Sequence, residues 1–197
     1  MKALFLSLLL VFVSISTAAN AKGFYSGLVV DSQNLDFPTD ARFNLLGVVG
    51  GYQFNDYLSV EGRLSTGLND ETLNVIVSEG PGELSREIDF QASVFLKGSY
   101  EIANGLSIYA LTGYSDTTLE STLLFEQDSV AVSNTSDASV NGFAYGVGLN
   151  FEFSSFFQMS LEYREMPDLD FDVVVNSQLE ERSIEWDALS LAVSYKF

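Results

Sequence analysis

Residues 186–197 read WDALSLAVSYKF, and their pattern indicates the fold of the whole chain. Every second residue counted back from the terminal phenylalanine is large and apolar, whereas the residues between are small or polar. The apolar set is Leu189, Leu191, Val193, Tyr195 and Phe197. Because successive side chains of a β-strand point to opposite faces, this alternation predicts a strand with one apolar face. The chain stops on an aromatic residue, so we expect this strand to be firmly paired.

Seven other segments have the composition of strands: 23–30, 42–54, 58–65, 88–102, 106–115, 143–153 and 157–164. Short turns alternate with long polar stretches that we expect to be loops: residues 31–40, 67–87, 116–139 and 165–185. An even number of strands, short turns on one side and long loops on the other are typical of membrane barrels. We therefore predict an all-β fold, an eight-stranded antiparallel up-and-down transmembrane β-barrel. The facing of the first, second and fifth strands stays open.

The polar faces of the other strands indicate which side of the barrel meets lipid. They consist mostly of Ser, Gly, Ala, Gln and Asn, with few charges, which is a poor coat for a water-soluble surface. Small side chains suit the narrow interior of an eight-stranded barrel. We therefore expect the apolar face to point outward. The alternative is a soluble periplasmic ligand-binding barrel, apolar inside and polar outside.

The few charges on the polar faces nearly balance, as burial in a lumen requires. The predicted lumenal network comprises Glu61, Arg63, Lys97, Glu101, Glu152, Glu162, Arg164 and Lys196. It could be a polar plug or the wall of a narrow porin-like channel for ions or small solutes. Since eight strands leave an interior just wide enough for side chains, the plug is favoured.

Aromatic residues gather near the strand ends, as expected of the two interfacial girdles of a membrane barrel. Those near the short turns are Phe54, Tyr57, Tyr100, Phe153, Phe156, Phe157, Tyr195 and Phe197. Those toward the long loops are Phe143, Tyr145, Tyr163 and Trp186.

The first residues have the features of a secretory signal peptide. Met1 and Lys2 precede an apolar stretch at 3–15, and Ala19-Asn20-Ala21 matches a cleavage site. We expect domain boundaries of 1–21 for the signal peptide and 22–197 for the barrel. The absence of cysteine and histidine excludes thiol and imidazole chemistry, so neither an enzyme nor a metal or other cofactor is expected.

The net charge of −18 argues against nucleic acid as a partner. The four long polar stretches hold 20 of the 27 acids, which would make one rim anionic. Asp168, Asp170 and Asp172 form the densest cluster, a candidate for divalent cations, although plain solvation explains it more simply. Residues 168–172 alternate like a strand that extends past the membrane, and they lack the glycine and glutamate of an EF-hand loop.

The C-terminal residues Leu191, Val193, Tyr195 and Phe197 resemble the assembly signal of Gram-negative outer-membrane barrels. The whole chain after residue 21 resembles the small barrels of the OmpA-domain, OmpX and opacity-protein type. This resemblance implies a monomer in the cell outer membrane, in contact with lipid and lipopolysaccharide. It also implies the secretion translocon, periplasmic chaperones and the barrel assembly machinery as partners. The expected role is structural or surface interaction through four acidic extracellular loops.

Overall fold

A computed structural model describes residues 23–35, 41–77, 80–127, 130–175 and 178–197. The expected signal peptide lies outside the described residues. The strands are β1 (Phe24–Leu35), β2 (Ala41–Asn55), β3 (Leu58–Gly67), β4 (Asp70–Val77), β5 (Gly80–Ala103), β6 (Leu106–Gln127), β7 (Val130–Glu152), β8 (Phe157–Glu165), β9 (Leu169–Val175), β10 (Gln178–Ile184) and β11 (Trp186–Lys196). Within these ranges, no helix is long and apolar enough to span a membrane.

Eight of these strands form a closed antiparallel ring in the order β1, β2, β3, β5, β6, β7, β8, β11. Two pairings complete it: β3 with β5, and the first strand with the last. The last strand is paired with β1 from Leu35↔Trp186 to Tyr25↔Lys196 and with β8 on its other side. The predicted eight-stranded antiparallel fold is confirmed, and so is the firm pairing of the C-terminal strand.

The outer surface of the ring is apolar and the interior is largely polar. On β11, Leu191 and Val193 are 47% and 44% exposed, whereas Ser190 and Ser194 are 2% and 3% exposed. This facing is the reverse of that in a soluble barrel. The three strands whose facing the sequence left open follow the same rule, because Leu28, Leu46 and Ile108 point outward.

The expectation of four long loops is wrong for most of their length. β1 continues to Leu35, β4 pairs with the start of β5, and β6 and β7 continue as one hairpin to the pair Gln127↔Val130. β9 and β10 form a separate hairpin, which agrees with the strand-like alternation of 168–172. The prediction of loops rested on the polarity of these segments. A strand that is exposed to water on both faces can nevertheless be polar, provided that a neighbouring strand supplies its backbone hydrogen bonds.

A β-bulge changes the facing at the upper part of β5. The register between β5 and β6 shifts between Ile88 and Phe90, so Ile88 points inward and is almost fully buried. Strict alternation back from Leu96 would have placed Ile88 outside. An extra residue in one strand reverses the side-chain parity beyond it.

Gly113 of β6 lies opposite Phe95 of β5 and faces the lumen. A Cβ atom at this position would clash with the backbone oxygen of Val94, and it would come within 2.7 Å of Phe95 Cδ1 and 2.8 Å of Phe95 Cα. We expect Gly113→Ala to destabilise the barrel by about 1–3 kcal/mol, because both the β5 backbone and the Phe95 ring must move. The matched control is Gly62→Ala, since its nearest neighbours are 3.9 Å away. Urea unfolding in detergent micelles measures both, and equal midpoints would contradict this packing.

Candidate functional site

The centre of the lumen is a salt bridge between strands on opposite sides of the ring. Arg63 of β3 donates from Nη1 and Nη2 to the two carboxylate oxygens of Glu162 of β8, at 2.7 and 2.8 Å. Its Nε donates to Glu61 Oε1 at 2.6 Å. All three side chains are almost fully buried. A bidentate arginine–carboxylate pair combines charge with fixed geometry, so this contact spans the lumen and joins its two walls.

Further partners complete the coordination of the two carboxylates. Glu61 accepts from the Tyr25 hydroxyl at 2.7 Å, and Lys97 Nζ lies 3.7 Å from its Oε2. Glu162 accepts from the Tyr109 hydroxyl at 2.9 Å. Tyrosine hydroxyls can therefore satisfy lone pairs that the cations leave open.

Arg164 extends the network along the lumen. Its Nε lies 3.1 Å from Glu162 Oε1, and its Nη2 lies 3.3 Å from Asp31 Oδ2 and donates to Ser190 Oγ at 3.1 Å. The charged network thus contains Arg63, Lys97, Arg164, Asp31, Glu61 and Glu162. Three cations face three carboxylates, so the described network carries no formal net charge, as burial in a narrow lumen favours.

Aromatic rings contact the cations within the lumen. The guanidinium carbons of Arg63 and Arg164 lie 5.2 and 5.3 Å from the centroid of the Phe95 ring. Lys97 Nζ lies 3.7 Å from the centroid of Tyr109. Cation–π contacts of this kind stabilise desolvated cations. The inward position of Phe95 follows from its alternation with Val94 and Leu96 on the outer face.

From the level of the charged network toward the hairpins, apolar side chains fill much of the lumen, among buried polar groups such as Gln33, Gln91 and Thr117. We call this set the apolar plug: Leu35, Phe43, Leu45, Ile88, Leu111, Ala144, Met166, Ile184, Trp186 and Ala188. Each of them is nearly or fully buried. The sequence analysis expected mostly small and polar groups on the inward face and did not predict these large apolar side chains.

Trp186 belongs to this plug and not to an interfacial girdle, so the prediction for it is also wrong. It is 2% exposed, and its indole N–H donates to Gln33 Oε1 at 3.0 Å. Gln33 in turn accepts a hydrogen bond, at 3.5 Å, from Gln91, which donates to Thr117 at 2.8 Å. The alternation of the strand would have given the correct facing, because every second residue of β11 points to the same side and Ala188 and Ser190 point inward. The other predicted girdle aromatics are exposed.

The structure brings together five of the eight predicted lumenal charges: Glu61, Arg63, Lys97, Glu162 and Arg164. Glu152 and Lys196 form a separate, partly exposed ion pair near the short turns. Glu101 does not join the network, because it is exposed near the end of β5 and accepts the Gly105 N–H at 3.3 Å. The sequence analysis missed Asp31, which it assigned to a loop. The available signal was its position in β1, since Tyr25, Val29 and Asp31 lie an even number of residues apart and therefore point to the same face.

An open cavity of about 750 Å³ occupies the short-turn end of the lumen. We call it the vestibule. Its lining includes Tyr25, Ser59, Lys97, Ser99, Glu101, Ser107, Asn150, Glu152, Gln158 and Lys196. The charged network closes its inner end, so the lumen has three sections in series: the vestibule, the charged network and the apolar plug.

Residues 3–197 match the family model described as "Outer membrane protein beta-barrel domain". The chain belongs to this family. Its location is accordingly the cell outer membrane. No curated protein sequence matches this outer-membrane barrel.

Solved structures share the fold of this barrel. The outer membrane protein OprG from Pseudomonas aeruginosa has a TM-score of 0.54 at 15% identity, with 89% of this chain and 96% of that chain covered. Neisserial surface protein A has a TM-score of 0.51 at 14% identity, with 91% and 100% covered. The N-terminal β-barrel domain of Pseudomonas aeruginosa OprF has a TM-score of 0.50 at 15% identity, with 89% and 98% covered. At these identities the likeness concerns the fold alone.

The two remaining predicted sites are the C-terminal residues of β11 and the acidic cluster at the start of β9. Leu191, Val193 and Tyr195 point outward, and the Phe197 ring contacts Tyr195 edge to face at 5.1 Å. Asp168 is exposed just before β9, whereas the side chains of Asp170 and Asp172 lie outside the described part. Among described side chains, no three acids are placed to hold a metal ion.

We expect Arg63→Met to destabilise the barrel by about 3–5 kcal/mol, because Glu61 and Glu162 lose their shared cation while remaining buried. The matched control is Lys196→Met, which breaks the partly exposed pair with Glu152 and should cost at most about 1 kcal/mol. Urea unfolding followed by the fluorescence of Trp186, the single tryptophan, measures both. The network is not stabilising as described if Arg63→Met unfolds at the wild-type urea concentration.

Proposed function

We propose that this outer-membrane barrel is a closed, non-enzymatic anchor for a β-sheet that projects from the cell surface. In this proposal the projecting sheet has a structural or surface-interaction role, and the membrane-embedded part does not conduct. The chain would reach the membrane as a monomer through the secretion translocon, periplasmic chaperones and the barrel assembly machinery.

Strand length is the observation that carries the proposal. β5, β6 and β7 contain 24, 22 and 23 residues. A tilted strand crosses the membrane with ~9–11 residues. The excess of about 12 residues per strand, at ~3.3 Å per residue, extends up to ~40 Å along each strand. Together with β4, these extensions form a four-stranded sheet in the order β4, β5, β6, β7.

The projecting sheet is acidic and has a free edge. Its acids include Asp70, Glu71, Glu83, Glu87, Glu120 and Asp137. β8 pairs with β7 only from Tyr145 to Glu152, so among the described residues no strand covers β7 from 130 to 144 on that side. An unpaired edge offers backbone donors and acceptors to an extended segment of another chain. A basic, extended segment is therefore the partner chemistry that this surface favours.

The closed lumen supports the anchor over the porin-like channel. A solute that enters the vestibule meets the bidentate Arg63–Glu162 bridge, and beyond it the apolar plug. Both sections would have to rearrange before ions could pass. The eight-stranded interior has little spare width for such a rearrangement.

We expect the folded barrel to give no conductance steps in a planar lipid bilayer. Arg63→Ala should remain silent as well, because the apolar plug still closes the outer half of the lumen. The buried-tryptophan fluorescence of Trp186 verifies folding before insertion. Steady steps whose size changes with Arg63→Ala would establish the channel and overturn the closed-anchor proposal.

We expect a synthetic peptide of alternating Lys and Val to bind the barrel, and a variant with residues 119–138 replaced by Gly-Ser to bind it at least tenfold more weakly. This replacement shortens the β6–β7 hairpin at the pair Thr118↔Ser139 and leaves the ring intact. The control is a peptide of equal charge in which Pro replaces Val, since Pro cannot complete a strand pairing. Fluorescence anisotropy measures binding. Equal binding of the two peptides would show that the unpaired edge of β7 is not the binding site.

A further inference from the structure

The vestibule has the size and position of a ligand site that opens to the periplasm. Its volume of about 750 Å³ falls within the range of small-molecule pockets. The charged network closes its inner end, so a molecule that enters can leave only by the same route. The vestibule is therefore a dead-end pocket and not a section of a pathway.

Lys97 at the inner end of the vestibule lacks an oxygen acceptor at hydrogen-bond distance. Its side chain is only 6% exposed, and its nearest carboxylate oxygen, Glu61 Oε2, is 3.7 Å away. Ordinary N–H···O bonds are 2.7–3.2 Å long. That oxygen already accepts from Tyr25, and Glu61 Oε1 accepts from Arg63. The Lys97 ammonium is thus paired with Glu61 at 3.7 Å and packed on the Tyr109 ring, and it retains N–H groups that can donate to an oxygen in the vestibule.

The wall between Lys97 and the mouth carries neutral hydrogen-bonding groups. They are supplied by Ser59, Ser99, Ser107, Asn150 and Gln158. Asn150 donates to Gln158 Oε1 at 3.4 Å and accepts from the Ser160 hydroxyl at 3.1 Å, and Ser99 and Ser107 add two half-buried hydroxyls to the wall. Hydroxyls and amides in this arrangement can donate to and accept from a hydroxyl-rich molecule.

The charges at the mouth restrict how many negative groups a ligand can carry. Asp56 and Glu101 are exposed there, and Glu152 is paired with Lys196. A second anionic group held near these carboxylates would be repelled. The vestibule therefore combines one buried cation at its inner end, a neutral polar wall and an acidic mouth.

We propose that the vestibule binds a small polyhydroxylated monocarboxylate, a sugar acid in chemical class, from the periplasm. The carboxylate accepts hydrogen bonds from Lys97 Nζ, and the hydroxyl-bearing body contacts the serine, asparagine and glutamine side chains of the wall. Binding requires no opening of the charged network. It is therefore independent of the closed-anchor proposal, which the conductance measurement tests separately.

Isothermal titration of the protein, purified from outer membranes in detergent micelles, tests this site with four probes. D-gluconate carries one carboxylate and a hydroxyl-rich body, sorbitol lacks the charge, acetate lacks the body and D-glucarate has a second carboxylate. We expect gluconate to bind at least tenfold more tightly than each of the other three. Equal affinity for gluconate and sorbitol would show that the carboxylate contributes nothing, and no heat with gluconate at 10 mM would show that the vestibule does not bind this class of molecule. Either result would overturn the proposal.

Lys97→Met should weaken gluconate binding at least tenfold, whereas Lys196→Met, a lysine already paired at the mouth, should change it less than threefold. Because Lys97→Met could impair folding, amide NMR shifts of the wild-type protein provide a second readout. We expect gluconate to shift Ser99, Ser107 and Gln158. Shifts confined to residues of the projecting sheet would place binding elsewhere and refute the assignment.

Discussion

Closure of the β-sheet is the constraint on which the rest of this molecule depends. Hydrocarbon offers no partners for backbone N–H and C=O groups, so a membrane strand must be paired on both sides. The pairings of β1 with β11 and of β3 with β5 meet this requirement for all eight ring strands. Closure with only eight strands also fixes the width of the interior, so every inward side chain must fit against those from the opposite wall.

The filling of this narrow interior explains why charge and aromatic groups occur together. Arg63 can be buried only because Glu61 and Glu162 reach it from two sides of the ring. The Phe95 ring packs against both guanidinium groups, and Gly113 leaves room for this ring. The same few residues thus neutralise the buried charges and fill the interior, because the narrow lumen has no room for separate groups to do so.

The eight-stranded ring could be predicted from the sequence because the alternation of apolar and polar residues indicates which side of each strand points outward. It indicated eight strands, the outward apolar face and most of the buried charges. The sequence-based prediction was wrong where polarity, a β-bulge or aromatic character gave a different indication from the alternation of apolar residues. The polar composition of the strand extensions led to their prediction as loops. A bulge at Asp89 reversed the facing of Ile88. The aromatic side chain of Trp186 suggested an interfacial position, but this residue points inward. The partners within the lumen could not be predicted, since Arg63 and Glu162 are 99 residues apart and meet only through closure.

Strand parity links the lumen to the stability of the whole arrangement. A slip of β3 by one residue would move Arg63 into lipid and bring Leu64 opposite Glu162. The cost of an unpaired charge in hydrocarbon, added to that of a carboxylate left alone in the lumen, makes such a register unfavourable. Apolar alternation alone would disfavour the slip less strongly, because Gly62 on the outer face of β3 is small enough to be accommodated inside. The buried charges therefore specify the register of the ring more sharply than its outer surface does.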